Sequence, residues 1–252
     1  MISADHDGAE WLASPNFGER RDGLKPEILL LHYTGMATGQ GAQDWLCNPM
    51  SEVSCHYIVH EDGRIVQMVR EADRAWHAGR SWWGGQGDVN SRSIGIEIVN
   101  PGHEGGLPPF PDRQIEAVIA LSRGIIARHG IADRLVLAHS DVAPGRKLDP
   151  GERFPWAGLA EEGVGLFVPP VPFRSGTALR EGDRGDEVTE LQALLAAHGY
   201  QLPCEGVFDA ATRKVVEAFQ RHFRPARVDG EADFSTRDTL AMLRETVQRL
   251  KV

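Results

Sequence analysis

Apolar positions change their period along the chain, and the changes mark its elements. Residues 26–34, PEILLLHYT, contain an unbroken apolar run of strand length. Such a run suits a strand buried on both faces, here Ile28 to Leu31 ending at His32. Glycines at 35, 39 and 41 mark a loop after it. Two apolar runs, 56–60 and 64–69, flank Glu61-Asp62-Gly63, the pattern of a β-hairpin. From Ser93 to Val99 strict alternation puts Ile94, Ile96 and Ile98 on one face and Gly95, Glu97 and Val99 on the other. Ile115, Val118, Ile119, Ser122 and Ile126 follow helical spacing, from a cap at Asp112 behind Pro111 to a stop at Gly130. A short strand over 135–138 ends at His139. Strands interspersed with helices predict an α/β fold with a mixed β-sheet flanked by helices.

Beyond residue 162 the texture changes. Residues 163–176, GVGLFVPPVPFRSG, read as a linker. Three apolar stripes follow: Val188, Leu191, Leu194 and Leu195; then Val215, Val216 and Phe219; then Leu240, Leu243, Val247 and Leu250. They predict a small all-α three-helix domain. Two copies of Gly-x-x-Asp-x-x-Thr-Arg, at 206–213 and 230–237, read as a turn glycine followed by an aspartate N-cap. The expected divisions are an N-terminal extension 1–24, an α/β domain 25–162, a linker 163–176 and a helical domain 177–252.

Charge narrows the partners. Thirty-six acidic residues against 27 basic ones leave a net charge of -9. Sequence-independent nucleic-acid binding needs the opposite balance, so no nucleic-acid partner is expected. No apolar run approaches the roughly 20 residues of a membrane span. The first residues, MISADHDGAEWLASPNF, lack a basic start followed by an apolar stretch. A cytoplasmic location is expected on that ground, with a periplasmic or wall-associated one as the alternative. Cys47, Cys55 and Cys204 are odd in number and lack metal-type pairing, so reduced thiols are expected.

Two histidines, His32 and His139, stand at the predicted ends of strands, where sites collect in α/β sheets. Asp149 follows His139 by ten residues, across a loop that Pro144 and Gly145 allow to double back. Two imidazoles and a carboxylate form a known catalytic zinc set with a fourth position left for water. On spacing alone, ordinary polar residues at loop edges are the favoured explanation, because a histidine and an aspartate close in sequence are common.

The segments LHYTG at 31–35, SCHYIVHEDGRI at 54–65, AWHAG at 75–79, SIGIEIVN at 93–100 and HSDVAPGRKLDPG at 139–151 occur in that order. Together they resemble the amidase-2 family of N-acetylmuramoyl-L-alanine amidases over most of residues 25–160. Cys55 stands where the family usually has a small residue. LREGDRGDEVTELQALLAAHGY resembles the start of a peptidoglycan-binding-1 module. The resemblance implies one Zn2+ per chain held by His32, His139 and Asp149, with Glu97 as catalytic carboxylate and Lys147 as oxyanion-side cation. It implies hydrolysis of the amide between N-acetylmuramic acid, or its anhydro form, and L-alanine, with peptidoglycan or a muropeptide as partner.

The residues agree with that assignment. Zinc lowers the pKa of bound water to about 7. A nearby carboxylate serves as base and then acid, and a lysine stabilises an oxyanion. His56, Trp76, His77 and Arg92 are candidates for substrate contact, with a structural role as the competing reading for each. Trp76, Trp82 and Trp83 lie in a glycine-rich loop that suits either stacking on substrate or burial. The remaining histidines, among them His60, His198 and His222, read as surface residues. The alternative function is a non-catalytic peptidoglycan-recognition protein. The presence of all three ligands, with Glu97 and Lys147, argues against it, as the absence of an HExxH signature argues against an unrelated zinc hydrolase.

Overall fold

A computed structural model describes residues 3–250. In chain order the elements are β1 (Glu10–Trp11), β2 (Phe17–Gly18), β3 (Ile28–Tyr33), α1 (Gly39–Leu46), β4 (Tyr57–Val59), β5 (Ile65–Gln67), β6 (Arg74–Ala75), α2 (Val89–Arg92), β7 (Ser93–Ile98), α3 (Asp112–His129), β8 (Val136–Ala138), α4 (His139–Val142), α5 (Trp156–Glu161), α6 (Asp186–His198), α7 (Ala210–Phe223) and α8 (Phe234–Arg249). Six strands form one mixed sheet in the order β1-β5-β4-β7-β3-β8. Its centre, β4-β7-β3-β8, is parallel, and the β4–β5 hairpin supplies the antiparallel pair.

The alternation along β3 and β7 decides what covers each face. Leu29, Leu31, Ile94, Ile96 and Ile98 point one way, into a core shared with Val118, Leu121 and Ile125 of α3. Ile28 and Leu30 point the other way, and so do His32, Gly95 and Glu97. This second face is divided between two covers. Over β4 and β5, Ala42 and Leu46 of α1 pack on Ile58, Val66 and Val99. Over the lower part of β3 and β8, the C-terminal helices close on Ile28, Leu30 and Leu137 in one continuous apolar cluster with Leu191, Val215 and Phe219. The upper end of β3 and β7, between the two covers, stays open.

The C-terminal helices are therefore packed on the sheet as well as tethered to it. Val164 and Val168, inside the proline-rich segment, are themselves buried, and Val171 N–H donates to Thr239 Oγ1 at 2.9 Å. Removing the helices would bare Ile28, Leu30 and Leu137, at about 1.5–3 kcal/mol for each fully buried side chain. Within the helical unit the repeat behaves as its sequence implies. Asp209 and Asp233 accept from Thr212 N and Thr236 N, each at 2.8 Å. Gly206 and Gly230 both have left-handed φ, 69° and 75°. A buried glutamine from the preceding helix pins each turn, Gln192 accepting from Gly206 N and Gln220 from Gly230 N, both at 2.9 Å.

Three features depart from the sequence expectations. Residues 39–46 form helix α1 where glycines suggested a loop. Thr38 caps it by accepting from Gly41 N, and Gly39 is needed because a Cβ there would strike the His60 ring. The cap of α3 falls on Pro111, with Asp112 as its first helical residue and Gly130 ending it at φ 66°. The N-terminal segment belongs to the fold: β1 extends the sheet alongside β5 and β2 pairs with β6. Arg20 donates to the carbonyls of Glu71, Ser91 and Ser93 at 2.8–3.0 Å, locking that segment behind the sheet. No helix among the described residues is long and apolar enough to cross a membrane.

Candidate active site

A cavity of about 470 Å³ opens at the carboxyl ends of β3 and β7, and Glu97, His77, His139, Lys147 and Asp149 line it. His32 occupies the penultimate position of β3 and pairs in register with Glu97 on β7, so both side chains project from the same face. His139 opens α4 directly after β8. The loop after α4 returns to place Asp149 beside it, closed by Ser140 N–H donating to Asp149 O at 3.0 Å. His32 Nδ1, His139 Nδ1 and Asp149 Oδ2 form a triangle with sides of 2.9–3.0 Å. All three residues are buried.

The surrounding hydrogen bonds decide which ring nitrogens carry protons. His139 Nε2 faces the carbonyl oxygen of Ala78 at 3.1 Å. A carbonyl only accepts, so Nε2 carries the proton and Nδ1 presents a lone pair. His32 is fixed by a longer chain. The Ser93 hydroxyl donates to Val89 O at 2.7 Å, which leaves its oxygen to accept from His77 Nε2 at 3.2 Å. His77 Nδ1 then accepts from His32 Nε2 at 2.9 Å, and His32 Nδ1 also presents a lone pair. Two imidazole lone pairs and a carboxylate oxygen thus converge with no proton between them. Two nitrogens with one carboxylate oxygen, all buried and within reach of one another, could hold a metal ion.

The electrostatics agree. Burial lowers His32 to about 4, the neighbouring His139 adds to the shift, and Asp149 opposes it. Burial works against ionisation of Asp149, but the closeness of His139 and His32 outweighs it and holds the carboxyl well below its usual range. A neutral His32 and an ionised Asp149 are the protonation states a metal requires of those two groups. Glu97 is shifted the other way. Burial raises its carboxyl well above the usual value, Asp149 adds to this, and Lys147 opposes it. Its Oε2 is fully buried and has no hydrogen-bond partner.

The weaker candidates separate. Trp76 and His77 line the cavity. His56 does not reach it: its Nδ1 accepts from Gly95 N at 2.9 Å and its Nε2 faces Asp73 O at 3.1 Å, so it ties β7 to the loop behind. Arg92 is also placed elsewhere, donating to Glu27 and to Trp83 O, and is 5% exposed. Both are corrected from substrate contacts to framework. The tryptophan loop divides its roles, since Trp76 faces the cavity while Trp83 is buried edge-on against Tyr200 at 5.0 Å. His60 and His222, read as surface residues, are buried.

One group had no signal in the sequence. Asp141, two residues after His139, is buried and accepts from Ala138 N at 2.9 Å, Tyr200 Oη at 2.7 Å and His222 Nδ1 at 2.8 Å. Tyr200 and His222 belong to the C-terminal unit, which thereby grips the helix that carries His139. Their separations from Asp141, 59 and 81 residues, follow no local spacing rule.

Fold and site together define a class, a mixed-sheet hydrolase with a candidate His-His-Asp metal centre and a facing carboxyl at its strand ends. Residues 22–152 match the family described as N-acetylmuramoyl-L-alanine amidase, and residues 184–240 match a peptidoglycan binding domain. The chain belongs to that amidase family. It is 37% identical over 226 residues to N-acetylmuramoyl-L-alanine amidase AmiD of Escherichia coli K12, covering 83% of this chain and 79% of that protein. The structure of AmiD with anhydro-N-acetylmuramic acid-L-Ala-D-gamma-Glu-L-Lys superposes with a TM-score of 0.74 at 36% identity, covering 92% of this chain and 98% of that one. AmpDh3 of Pseudomonas aeruginosa, in complex with anhydromuramic pentapeptide, gives 0.71 at 30% identity, covering 98% and 99%.

Proposed function

We propose that this chain hydrolyses the amide joining N-acetylmuramic acid, or its anhydro form, to L-alanine of the stem peptide, with one zinc ion held by His32 Nδ1, His139 Nδ1 and Asp149 Oδ2. The observation that carries the reading is the triangle of three proton-free ligand atoms at 2.9–3.0 Å. The substrate named for AmiD, and the anhydromuramic pentapeptide in complex with AmpDh3, support the choice of amide. Held by these three residues, zinc would supply Lewis-acid chemistry and lower the pKa of a bound water toward neutrality.

The chain's own groups manage the proton and the charge. Glu97, with its raised carboxyl and unpartnered buried oxygen, takes the proton from the attacking water. It then delivers that proton to the alanine nitrogen as the C–N bond breaks. Lys147, on the same cavity wall, faces the negative charge that develops on the carbonyl oxygen. His77 and Ser93 keep His32 in the tautomer that leaves Nδ1 free. The domain boundaries 25–162 and 177–252 fit this division of labour, the first carrying chemistry and the second contact with the wall polymer.

Glu97→Ala tests the assignment. The variant is expected to keep its zinc and to release stem peptide from an anhydro-muropeptide about 10²–10⁴-fold more slowly, the range for loss of a general base. Near-normal turnover at saturating substrate would move the proton transfer to another group.

A further inference from the structure

Beside the cleft lies a second, larger groove of about 640 Å³, lined by Arg80, Trp82, Pro144, Arg146, Gln201 and Lys214 among others. Two properties set it apart. It straddles the junction, with Arg80, Trp82 and Arg146 from the sheet unit and Gln201 and Lys214 from the helical unit. It is also strictly cationic, since three of its lining residues are basic and none is acidic. In a chain of net charge -9 that is not an average surface. Among the described residues none of Arg80, Arg146 and Lys214 pairs with a carboxylate.

Two of the cations, Arg146 and Lys214, have defined contacts. Arg146 Nη2 donates to the carbonyls of Ala78 and Arg80, both at 2.7 Å, and Arg146 lines the catalytic cavity as well as the groove. The stem of Lys214 lies across Gly145, where φ is 72° and a Cβ would collide with the lysine methylenes. Trp82, whose backbone N–H donates to Val142 O at 2.9 Å, adds an aromatic side chain to the lining.

We infer that this groove binds an acidic peptide: the carboxylate-bearing stem next to the one being cut, presented by the same wall polymer. The inference rests on the amidase reading of the cleft. A stem with γ-linked glutamate, as in the ligand named for AmiD, keeps a free α-carboxylate and a terminal one. Unpaired, positioned cations are the complement of such groups, and Arg146 makes the groove continuous with the cleft. A single muropeptide fills the cleft alone, whereas a polymer carrying several stems occupies both. The groove is complete only when the helical unit is docked, which gives that unit a place in substrate choice.

The test uses the full chain and the charge reversal Arg80→Glu/Lys214→Glu, with Arg174→Glu, on an exposed ion pair with Asp238, as a control for charge reversal away from the groove. Two readouts are compared: the ratio of kcat/KM for a glycan bearing two stems to that for a one-stem anhydro-muropeptide, and the Kd for purified sacculi at low and high salt. The expected result is a fall of about tenfold or more in both the ratio and the affinity, with loss of the salt dependence, while Arg174→Glu matches the parent. Equal sacculus binding by parent and double variant overturns the inference whatever the turnover. Groove-dependent binding by a parent enzyme that cuts neither substrate would overturn the amidase reading and leave the groove standing.

Discussion

His32 and His139 bring equivalent nitrogens to one point from two regions built in different ways. His32 sits on a central strand, and its orientation comes from side chains of its own unit, through His77 and Ser93 to the carbonyl of Val89. His139 sits on a four-residue helix, and its ring answers directly to the backbone carbonyl of Ala78. That helix is steadied from outside, by Tyr200 and His222 acting on Asp141. The first region is self-contained. The second depends on a docked neighbour, so the C-terminal helices contribute to the geometry of the centre and not only to contact with polymer.

The largest effect is expected on the dependent side. Asp141 is buried, and burial opposes its ionisation, but His222, Tyr200 and the Ala138 amide keep its carboxyl below the usual range. Asp141→Asn weakens each of those bonds. Zinc affinity, measured by competition with a chelator, should fall about tenfold or more, since three bonds that steady the His139 helix are weakened at once, each worth about 0.5–1.5 kcal/mol. Unchanged affinity would show that the C-terminal unit has no hold on His139.

A smaller effect is expected on the self-contained side. Ser93→Ala removes the acceptor that fixes the His77 tautomer, while His77 keeps its position against His32. Loss of one hydrogen bond of this kind costs about 0.5–1.5 kcal/mol, or roughly 2–13-fold in zinc affinity. A larger loss than that of Asp141→Asn would invert the comparison.

A broader effect, on stability and not on metal affinity, concerns pH in the absence of metal. Burial lowers His56 from 6.5 to about 3, with Arg20 adding to the shift. Burial lowers His198 from 6.5 to about 4, against the opposing charge of Asp141. Both are depressed in the folded chain, so the unfolded chain takes up their protons first. Their contribution is complete above the unfolded value of 6.5 and is lost as pH falls toward 4. Denaturant unfolding in the presence of a chelator should show a decline on the order of 1–3 kcal/mol across that window. Flat stability from 7 to 4 would contradict the burial of neutral rings.

The contrast also explains what the sequence made legible. The ligands, Glu97 and Lys147 stand in dense local motifs, and the alternation of β7 already set Glu97 opposite the isoleucines. The strand ends at His32 and His139 were readable because apolar runs stop there. The docking of the helical unit was not. Its stripes predict a core of their own, and nothing local in Val215 or Phe219 reveals that Ile28, Leu30 and Leu137 complete that core. Helix α1 was hidden because Gly39 and Gly41 lower helix propensity, and packing of Ala42 and Leu46 overrides it. Asp141, Tyr200 and His222 meet only in three dimensions.

The central claim is that a single zinc ion at the His32–His139–Asp149 triangle is required for amide cleavage. Titrating metal-stripped enzyme with Zn2+ while following stem-peptide release from an anhydro-muropeptide tests it most directly. The account predicts no turnover at the start, a linear rise, and a break at one equivalent per chain, with Asp149→Ala showing no rise over the same range. Full turnover by the stripped enzyme, or a one-equivalent break that survives in Asp149→Ala, would contradict it.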